Sequence, residues 1–267
     1  MKAYFSVFKL RLINGLQYRA AAFAGVATQF FWGIMHIMVY EAFYQNAAEN
    51  QPISLSQLID YIWLQQAFLV FIALWSRDNE IFNLITSGNI AYELCRPCSI
   101  YGFWYAKLIA QRLSGAFLRC VPILAVAFLL PEPYRLSVPS NITTGVLFLI
   151  TLLFGLMVVV AISMFIYISV FYTMSPAGSL LMFFVIGEFF AGMIIPIPLM
   201  PEWLQKMAYV LPFRLAADLP FRIYSGNIHA NEAVTSIIIQ ILWLSVLVLT
   251  GRLWLRKALK RVVVQGG

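Results

Sequence analysis

Residues 136–187 read LSVPSNITTGVLFLITLLFGLMVVVAISMFIYISVFYTMSPAGSLLMFFVIG and contain no charged side chain. About 20 consecutive apolar residues span a hydrocarbon core of roughly 30 Å, so this stretch is too long for a single crossing. We expect two crossings, with the break at Ser175-Pro176-Ala177-Gly178, because proline removes a helical donor and glycine permits a turn. The stretch therefore predicts an all-α membrane protein.

The composition of the whole chain agrees with this fold class. The 267 residues are 62% hydrophobic and only 11% charged, whereas roughly a quarter of the residues in an average soluble domain are charged. The formal net charge is +7, but the Lys and Arg residues flank apolar segments instead of gathering on one solvated face, as they would in a nucleic-acid binder. We therefore expect the basic charge to orient the chain in a lipid bilayer, and we expect no nucleic-acid partner.

Ending each apolar run at its charges, prolines and glycines predicts six transmembrane helices. Their ranges are 20–40, 58–75, 113–130, 144–174, 179–196 and 233–251. Of the Lys and Arg residues outside these ranges, thirteen fall in the connections on one side and four in those on the other. Basic residues favour the cytoplasmic side, so both termini are expected in the cytoplasm of a multi-pass protein of the plasma (inner) membrane.

No linker separates a second domain, so residues 1–267 are predicted to form one membrane domain. In residues 1–19, Phe5, Phe8, Leu12 and Leu16 share one helical stripe, while Arg11 lies outside it. This pattern predicts an N-terminal interfacial helix, with a frayed terminus as the alternative. No compact apolar core precedes a small-residue cleavage site there, so no cleaved signal is expected.

Residues 197–232 form the expected external connection before the last span. Prolines divide the segment into short pieces, and aromatic residues alternate with charged ones. Such pieces are too polar to cross a membrane, and they tolerate its outer leaflet only if their backbone is self-bonded or shielded by protein. We expect re-entrant external helices here, with an interfacial loop as the alternative.

Residues 77–105 form a long cytoplasmic connection that is half apolar. Residues 78–86 predict a short helix with Ile81, Leu84 and Ile85 on one face, after which Ser87-Gly88 turns the chain. Asn89 is a suitable N-cap for a second short helix, and Pro97 ends it. The apolar face of such a pair must be buried against the bilayer surface, the protein's own helix ends or a docked cytoplasmic partner.

Two motifs carry a family resemblance. The run Ile85-Thr86-Ser87-Gly88-Asn89-Ile90, followed by Leu94-Cys95-Arg96-Pro97, resembles the cytoplasmic coupling segment of type-2 ABC exporter permeases. On the other side, Pro201-Glu202-Trp203-Leu204 and Leu211-Pro212-Phe213 resemble that family's proline-rich stretch before the last span. The order of the predicted segments is similar over nearly the whole chain.

The resemblance implies a permease subunit that forms a substrate path with a second identical or related chain. It implies separate ABC ATPase subunits, which bind ATP and Mg²⁺, and a hydrophobic, lipid-linked, peptide-like or drug-like substrate to be exported. The residues expected to couple to the ATPase are Glu80, Ser87, Gly88, Asn89, Glu93, Arg96 and Pro97.

Two charged residues lie well inside predicted spans, where they are costly and point to function, whereas Asp60 lies near the end of its span. Arg119 and Glu188 are expected either to form an intramembrane ion pair or to line the substrate path. His36 is expected to be a hydrogen-bonded interior residue. Cys95 and Cys98 form a CxxC motif, which suits a redox pair or half of a metal site, but no second ligand pair accompanies it.

Motifs for catalysis are absent from the sequence. No lysine follows a glycine, so the chain has no phosphate-binding P-loop. The two histidines, His36 and His229, lie in different regions, and neither HExxH nor GxSxG occurs. We therefore expect no catalytic, cofactor or metal residues on this chain and ATP hydrolysis on a partner. An ion-coupled secondary carrier and an intramembrane lipid-modifying enzyme are the alternative functions.

Overall fold

The computed structural model describes residues 2–17, 19–45 and 51–260, and every regular element in these ranges is a helix. Single turns of 3-10 helix occur at Ile197–Leu199 and Phe213–Leu215. The α-helices are α1 (Lys2–Gln17), α2 (Arg19–Gln45), α3 (Leu55–Ala67), α4 (Leu69–Ile72), α5 (Asn79–Thr86), α6 (Ile90–Leu94), α7 (Ile100–Leu129), α8 (Ile142–Thr173), α9 (Pro176–Phe190), α10 (Glu202–Val210), α11 (Asp218–Tyr224) and α12 (Ala230–Leu259).

Four of these helices are long and apolar enough to cross a membrane. They are α7, α8, α12 and the part of α2 from Ala22 to Gln45. Each coincides with one of the six predicted spans and extends beyond it at one or both ends. The described residues therefore form an all-helical fold with four helices that could span a membrane.

The other two predicted spans differ from the prediction. The range 58–75 is divided, because α3 ends at Ala67, where the N–H of Phe68 donates to the Leu64 carbonyl, and α4 has only four residues. Nearly all of α3 is buried inside the protein, including Asp60. The range 179–196 contains α9, whose 15 residues span about 22 Å, followed by a turn at Gly192.

The break inside the long uncharged stretch lies where the sequence predicts it. Met174 ends α8 with a left-handed φ of 51°, Ser175 is extended, and Pro176 is the first residue of α9. Proline suits that position because the first helical residue needs no intrahelical N–H bond.

Helix α8 lies at the centre of the fold and packs against α5, α7, α9, α11 and α12. All of its residues from Val158 to Met164 are buried. At Gly155 a backbone approaches closely, since a Cβ there would lie 2.8 Å from the carbonyl oxygen of Ala216. The Gln240 side chain of α12 donates to the carbonyls of Thr151 and Leu215, at 3.0 and 2.8 Å, and so fixes this junction.

Helix α1 packs alongside the first half of α7, and the two run in the same direction. The Tyr4 hydroxyl accepts a bond from the N–H of Ser99, just before α7, at 3.0 Å. Of the predicted apolar stripe, Phe5 is exposed and Phe8, Leu12 and Leu16 are partly buried, and the interfacial position stays a prediction. Arg11, outside the stripe, pairs with Glu80. Met1 and Tyr18, which the predicted interfacial helix includes, and Arg261, which the orientation count includes, lie outside the described residues.

Residues 197–232, the connection predicted to be external, consist of short helical pieces, and Pro196, Pro201 and Pro212 precede three of them. Helix α11 is almost entirely buried against α3 and α8, so protein shields its backbone. Helix α10 instead exposes Trp203 and Val210. Arg222 holds the two helices together, because it pairs with Asp218 at 3.5 Å and donates to the Tyr209 hydroxyl at 2.9 Å.

Candidate functional site at the connection from α4 to α7

A buried arginine fixes the start of the connection between α4 and α7. The Arg112 guanidinium donates to the carbonyls of Phe71, Ala73 and Ser76 at 3.4, 2.6 and 3.3 Å, and to the Ser163 hydroxyl of α8 at 3.0 Å. The last carbonyls of a helix have no intrahelical partner. Arg112 supplies those partners, so it joins the end of α4 to α7 and α8.

Asp78 caps α5 and attaches it to α8. One carboxylate oxygen of Asp78 accepts bonds from the N–H groups of Glu80 and Ile81, at 2.9 and 3.3 Å. Its own N–H donates to the Tyr167 hydroxyl at 2.7 Å, and the Phe82 ring packs on the Tyr167 ring with 4.6 Å between centroids. The first turn of α5 therefore packs against α8.

Two basic residues complete this attachment. The Lys107 ammonium, with a side chain only 3% exposed, lies 3.0 Å from Asp78 and 3.0 Å from Glu80. Arg11 of α1 also pairs with Glu80. We call Arg11, Asp78, Glu80 and Lys107 the ionic anchor; it joins α1, α5 and α7.

The anchor shifts the titration of one of its members. Partial burial acts to raise the pKa of Glu80, but hydrogen bonds and charge from Arg11 and Lys107 outweigh it and hold that pKa below the ordinary value of 4.5. Glu80 therefore remains charged at neutral pH. Two carboxylates and two cations balance the charge of the anchor.

The apolar face of α5 is covered by the protein itself. Ile81, Phe82 and Ile85 are buried, while Leu84, predicted on the same face, is only partly buried. The sequence leaves three candidates for covering this face: the bilayer surface, the protein's own helices and a docked partner. For α5 the protein's own helices cover it.

Helix α6 presents the exposed end of the connection. Gly88 turns the chain with a φ of +75°, and Tyr92 and Leu94 are 75% and 44% exposed. Asn89 occupies the N-cap position, as predicted, but its side chain makes no capping bond. We call residues 86–97 the tip of the connection.

The predicted coupling residues fall into three groups. Glu80 belongs to the ionic anchor. Ser87, Gly88, Asn89 and Pro97 lie at the tip, where all but the partly buried Gly88 are exposed. Glu93 and Arg96 form an ion pair of 3.1 Å; Glu93 is buried, and the Arg96 guanidinium lies 4.7 Å from the centre of the Phe103 ring.

The two ionisable residues predicted at membrane depth do not form an ion pair. The Arg119 guanidinium lies over α2 at Gly25, where an added Cβ would be 2.6 Å from it. Glu188 lies in a narrow cavity among Leu74, Val159 and Phe213, and one of its carboxylate oxygens is buried without a hydrogen-bond partner. An ion pair is therefore excluded in this conformation, and the role of lining a path stays a prediction.

Sequence reasoning missed the basic half of the site. The sequence pattern places Lys107 and Arg112 among the charges that flank a span, yet both are buried and bind the connection. The available signal is their position in the first half of α7, directly after a connection that carries Asp78 and Glu80.

Cys95 and Cys98 are free thiols, and no group of three or more His, Cys, Asp or Glu that could hold a metal occurs within the ranges the structure describes. No protein-family model, no curated protein and no solved structure matches the chain. Function is therefore inferred from the motifs of the sequence and from this geometry.

Proposed function

We propose that this chain is the membrane-spanning permease subunit of an ATP-driven exporter of the ABC type. Two such chains, identical or related, enclose the substrate path. Separate ATPase subunits, which bind ATP and Mg²⁺, dock on the connection between α4 and α7. The substrate is hydrophobic or lipid-like, and this chain itself performs no catalysis.

The observation that carries the proposal is the contrast between the two ends of this connection. Its first half is fixed to α1, α7 and α8 by the ionic anchor and Arg112, whereas its tip exposes Tyr92 and Leu94. A loop that contacts only solvent does not need buried ion pairs to fix its position. A fixed loop that binds no partner gains no stability from an exposed aromatic side chain at its end. A docking surface that passes force to the membrane helices requires both.

The remaining features of the proposal concern topology. We propose that α3 with α4, which neighbouring helices shield, and α9 with the buried turn that follows it complete six crossings as short elements. Buried backbone that is not helical is tolerated at membrane depth when protein surrounds it. Both termini then lie in the cytoplasm of the plasma (inner) membrane, and the tip of the connection faces the ATPase.

Co-purification tests this function. Tagged protein from its native membrane is expected to bring down a soluble P-loop ATPase, and Tyr92→Ala is expected to lower the recovered ATPase at least tenfold. Trp203→Ala is the matched control, because Trp203 is also an exposed aromatic, 63% exposed, but lies on α10. If Tyr92→Ala and Trp203→Ala recover equal amounts of the ATPase, or if neither variant recovers any, the proposed docking surface is wrong.

The ion pair offers a second matched comparison. Glu93–Arg96 at the tip and Glu132–Arg135 after α7 are both pairs of residues three apart, at 3.1 and 2.8 Å. Removing the charges of the first pair is expected to weaken ATPase binding, and removing those of the second is expected to leave it unchanged.

An ion-coupled carrier is a second candidate, favoured by Glu188. A buried carboxylate oxygen without a partner is the kind of group that takes up a proton or a cation. In vesicles, export that follows a proton gradient without ATP and disappears in Glu188→Gln would select the carrier. Export that requires ATP and the partner subunit would select the permease.

A further inference from the structure

A pocket of about 320 Å³ lies between the start of α7 and the end of α12, outside the candidate coupling site. Tyr101 of α7 packs against Gly251 of α12, where an added Cβ would be 3.0 Å from the ring. This close approach brings the two helix ends together. The pocket is lined by Ser99, Ile100, Tyr101, Arg252, Leu255 and Arg256, with Leu259 at its edge.

Two arginines give the pocket a positive charge that the protein does not neutralise. Arg252 and Arg256 are four residues apart on α12, so their side chains share one face. Neither has a carboxylate within ion-pair distance among the residues that the structure describes. Arg252 also lies over the Tyr101 ring, 5.7 Å from its centre.

The opposite wall adds hydrogen-bond donors. Helix α7 has 30 residues, and the N–H groups of its first turn have no intrahelical acceptors. The Ser99 side chain accepts only from Gly102, at 3.5 Å. The positive end of the helix dipole therefore adds to the charge of the two arginines.

Tyr101 provides the observation that points to a ligand. Its side chain is only 3% exposed, it lines the pocket, and its hydroxyl is buried without a hydrogen-bond partner. A buried polar group is normally paired. The hydroxyl lies at Gly251, 3.0 Å from where a Cβ would be, so an acceptor in the pocket bonds to it once the Tyr101 ring shifts toward a bound ligand.

We propose that this pocket binds the phosphate group of an anionic membrane lipid. Phosphate oxygens accept several donors at once, and two guanidinium groups, a phenol and helix-terminal N–H groups are all donors. Leu255, Leu259 and Ile100 supply apolar walls next to these donors, which suits the glycerol end of a lipid better than a free ion. The pocket follows the apolar part of α12, where a headgroup lies.

Native mass spectrometry of the purified full-length protein in detergent tests the site by counting bound lipids. The probes are phosphatidylglycerol, phosphatidylcholine and inorganic phosphate. Phosphatidylglycerol is expected to bind with one saturable site and at least tenfold more tightly than phosphatidylcholine, because the choline ammonium would meet two guanidinium groups. Millimolar inorganic phosphate is expected to displace little of it.

Matched variants locate the binding. Arg252→Gln with Arg256→Gln is expected to weaken phosphatidylglycerol binding about thirtyfold, at about fivefold for each basic residue. Lys257→Gln with Lys260→Gln removes the same charge from the same helix end but outside the pocket, and should change binding less than about threefold. Tyr101→Phe should weaken it several-fold without any change of charge.

Three results would overturn the proposal. Equal losses in the arginine and lysine variants would mean diffuse attraction to a basic surface. Displacement by inorganic phosphate, with no preference between the two lipids, would mean a site for a free anion. Unchanged binding in Tyr101→Phe would remove the ligand from the pocket even if the arginine variant failed to fold.

Discussion

Replacing Lys107 with methionine tests whether the ionic anchor holds α5 on the membrane helices. The substitution keeps a long, flexible side chain and removes the ammonium that lies 3.0 Å from both Asp78 and Glu80. Glu80 has a side chain that is 57% exposed, so water replaces much of its lost partner. Asp78 is 7% exposed, so little water can replace that partner at its carboxylate.

The expected cost follows from these exposures. Removing one partner of a buried ion pair costs roughly 3–5 kcal/mol. Asp78 still accepts two backbone N–H bonds from the first turn of α5, which continue to stabilise its charge. We therefore expect the lower end, about 3 kcal/mol, which corresponds to about a hundredfold change in an equilibrium constant.

Hydrogen–deuterium exchange measures this change locally. The amides in the second half of α5 should exchange about a hundredfold faster in Lys107→Met than in the unchanged protein, whereas those in the middle of α12 should exchange at the same rate. Adding Asp78→Asn should restore much of the protection, because asparagine caps a helix as well as aspartate does and carries no charge. Unchanged α5 exchange in Lys107→Met, or no recovery in the double variant, would refute the anchor.

Three further predictions concern packing, hydrogen bonding and pH. Gly155→Ala is expected to lower the free energy of unfolding by about 1–3 kcal/mol, because the added methyl would press on the Ala216 carbonyl. Gly145→Ala in the same helix is the control, since the space around it is open, and it should raise that free energy by up to about 1 kcal/mol. Thermal unfolding in detergent compares the two variants. Arg112→Lys is expected to cost about 1.5–3 kcal/mol in the same assay, because an ammonium has three donors and cannot replace the four observed bonds. The pKa of Glu80 is below 4.5 in the folded protein, so its ion pairs stabilise the fold above pH 4.5, and this stabilisation is lost as the pH falls through the lowered pKa. In that acidic range the distance between spin labels on α1 and α5 should increase. Glu80→Gln should abolish this pH-dependent increase.

The long helices and the break after α8 could be predicted because their signals are local. An uncharged run of sufficient length predicts α8, and Pro176 predicts the start of α9 wherever the rest of the chain lies. The break between α3 and α4 has no such signal, since neither proline nor glycine occurs in residues 55–76. Arg112, a residue distant in the chain, binds the carbonyls of Phe71 and Ala73 where α4 ends. A sequence pattern cannot show that contact.

The same distinction applies to the candidate site. Asp78 precedes a helical pattern and could be placed near the start of α5 from spacing alone, and the exposed turn at Gly88 follows from glycine. The burial of Lys107 could not be predicted, because it depends on α1 and α5 closing over α7 from two different parts of the sequence. A basic residue before an apolar run has the same local signature whether it faces water or an internal carboxylate.

Under the proposed function, these contacts determine how a force applied at the tip reaches the long helices. Helix α6 is followed by α7 itself within a few residues, and α5 is joined to α7 by Lys107 and to α8 by Tyr167. A force applied at Tyr92 therefore reaches two helices of spanning length through short connections. Because packed cores move between discrete arrangements instead of deforming continuously, α5, α7 and α8 should move as one body. Helix α9, of which only Gly187 is fully buried, is then expected to change its position against that body.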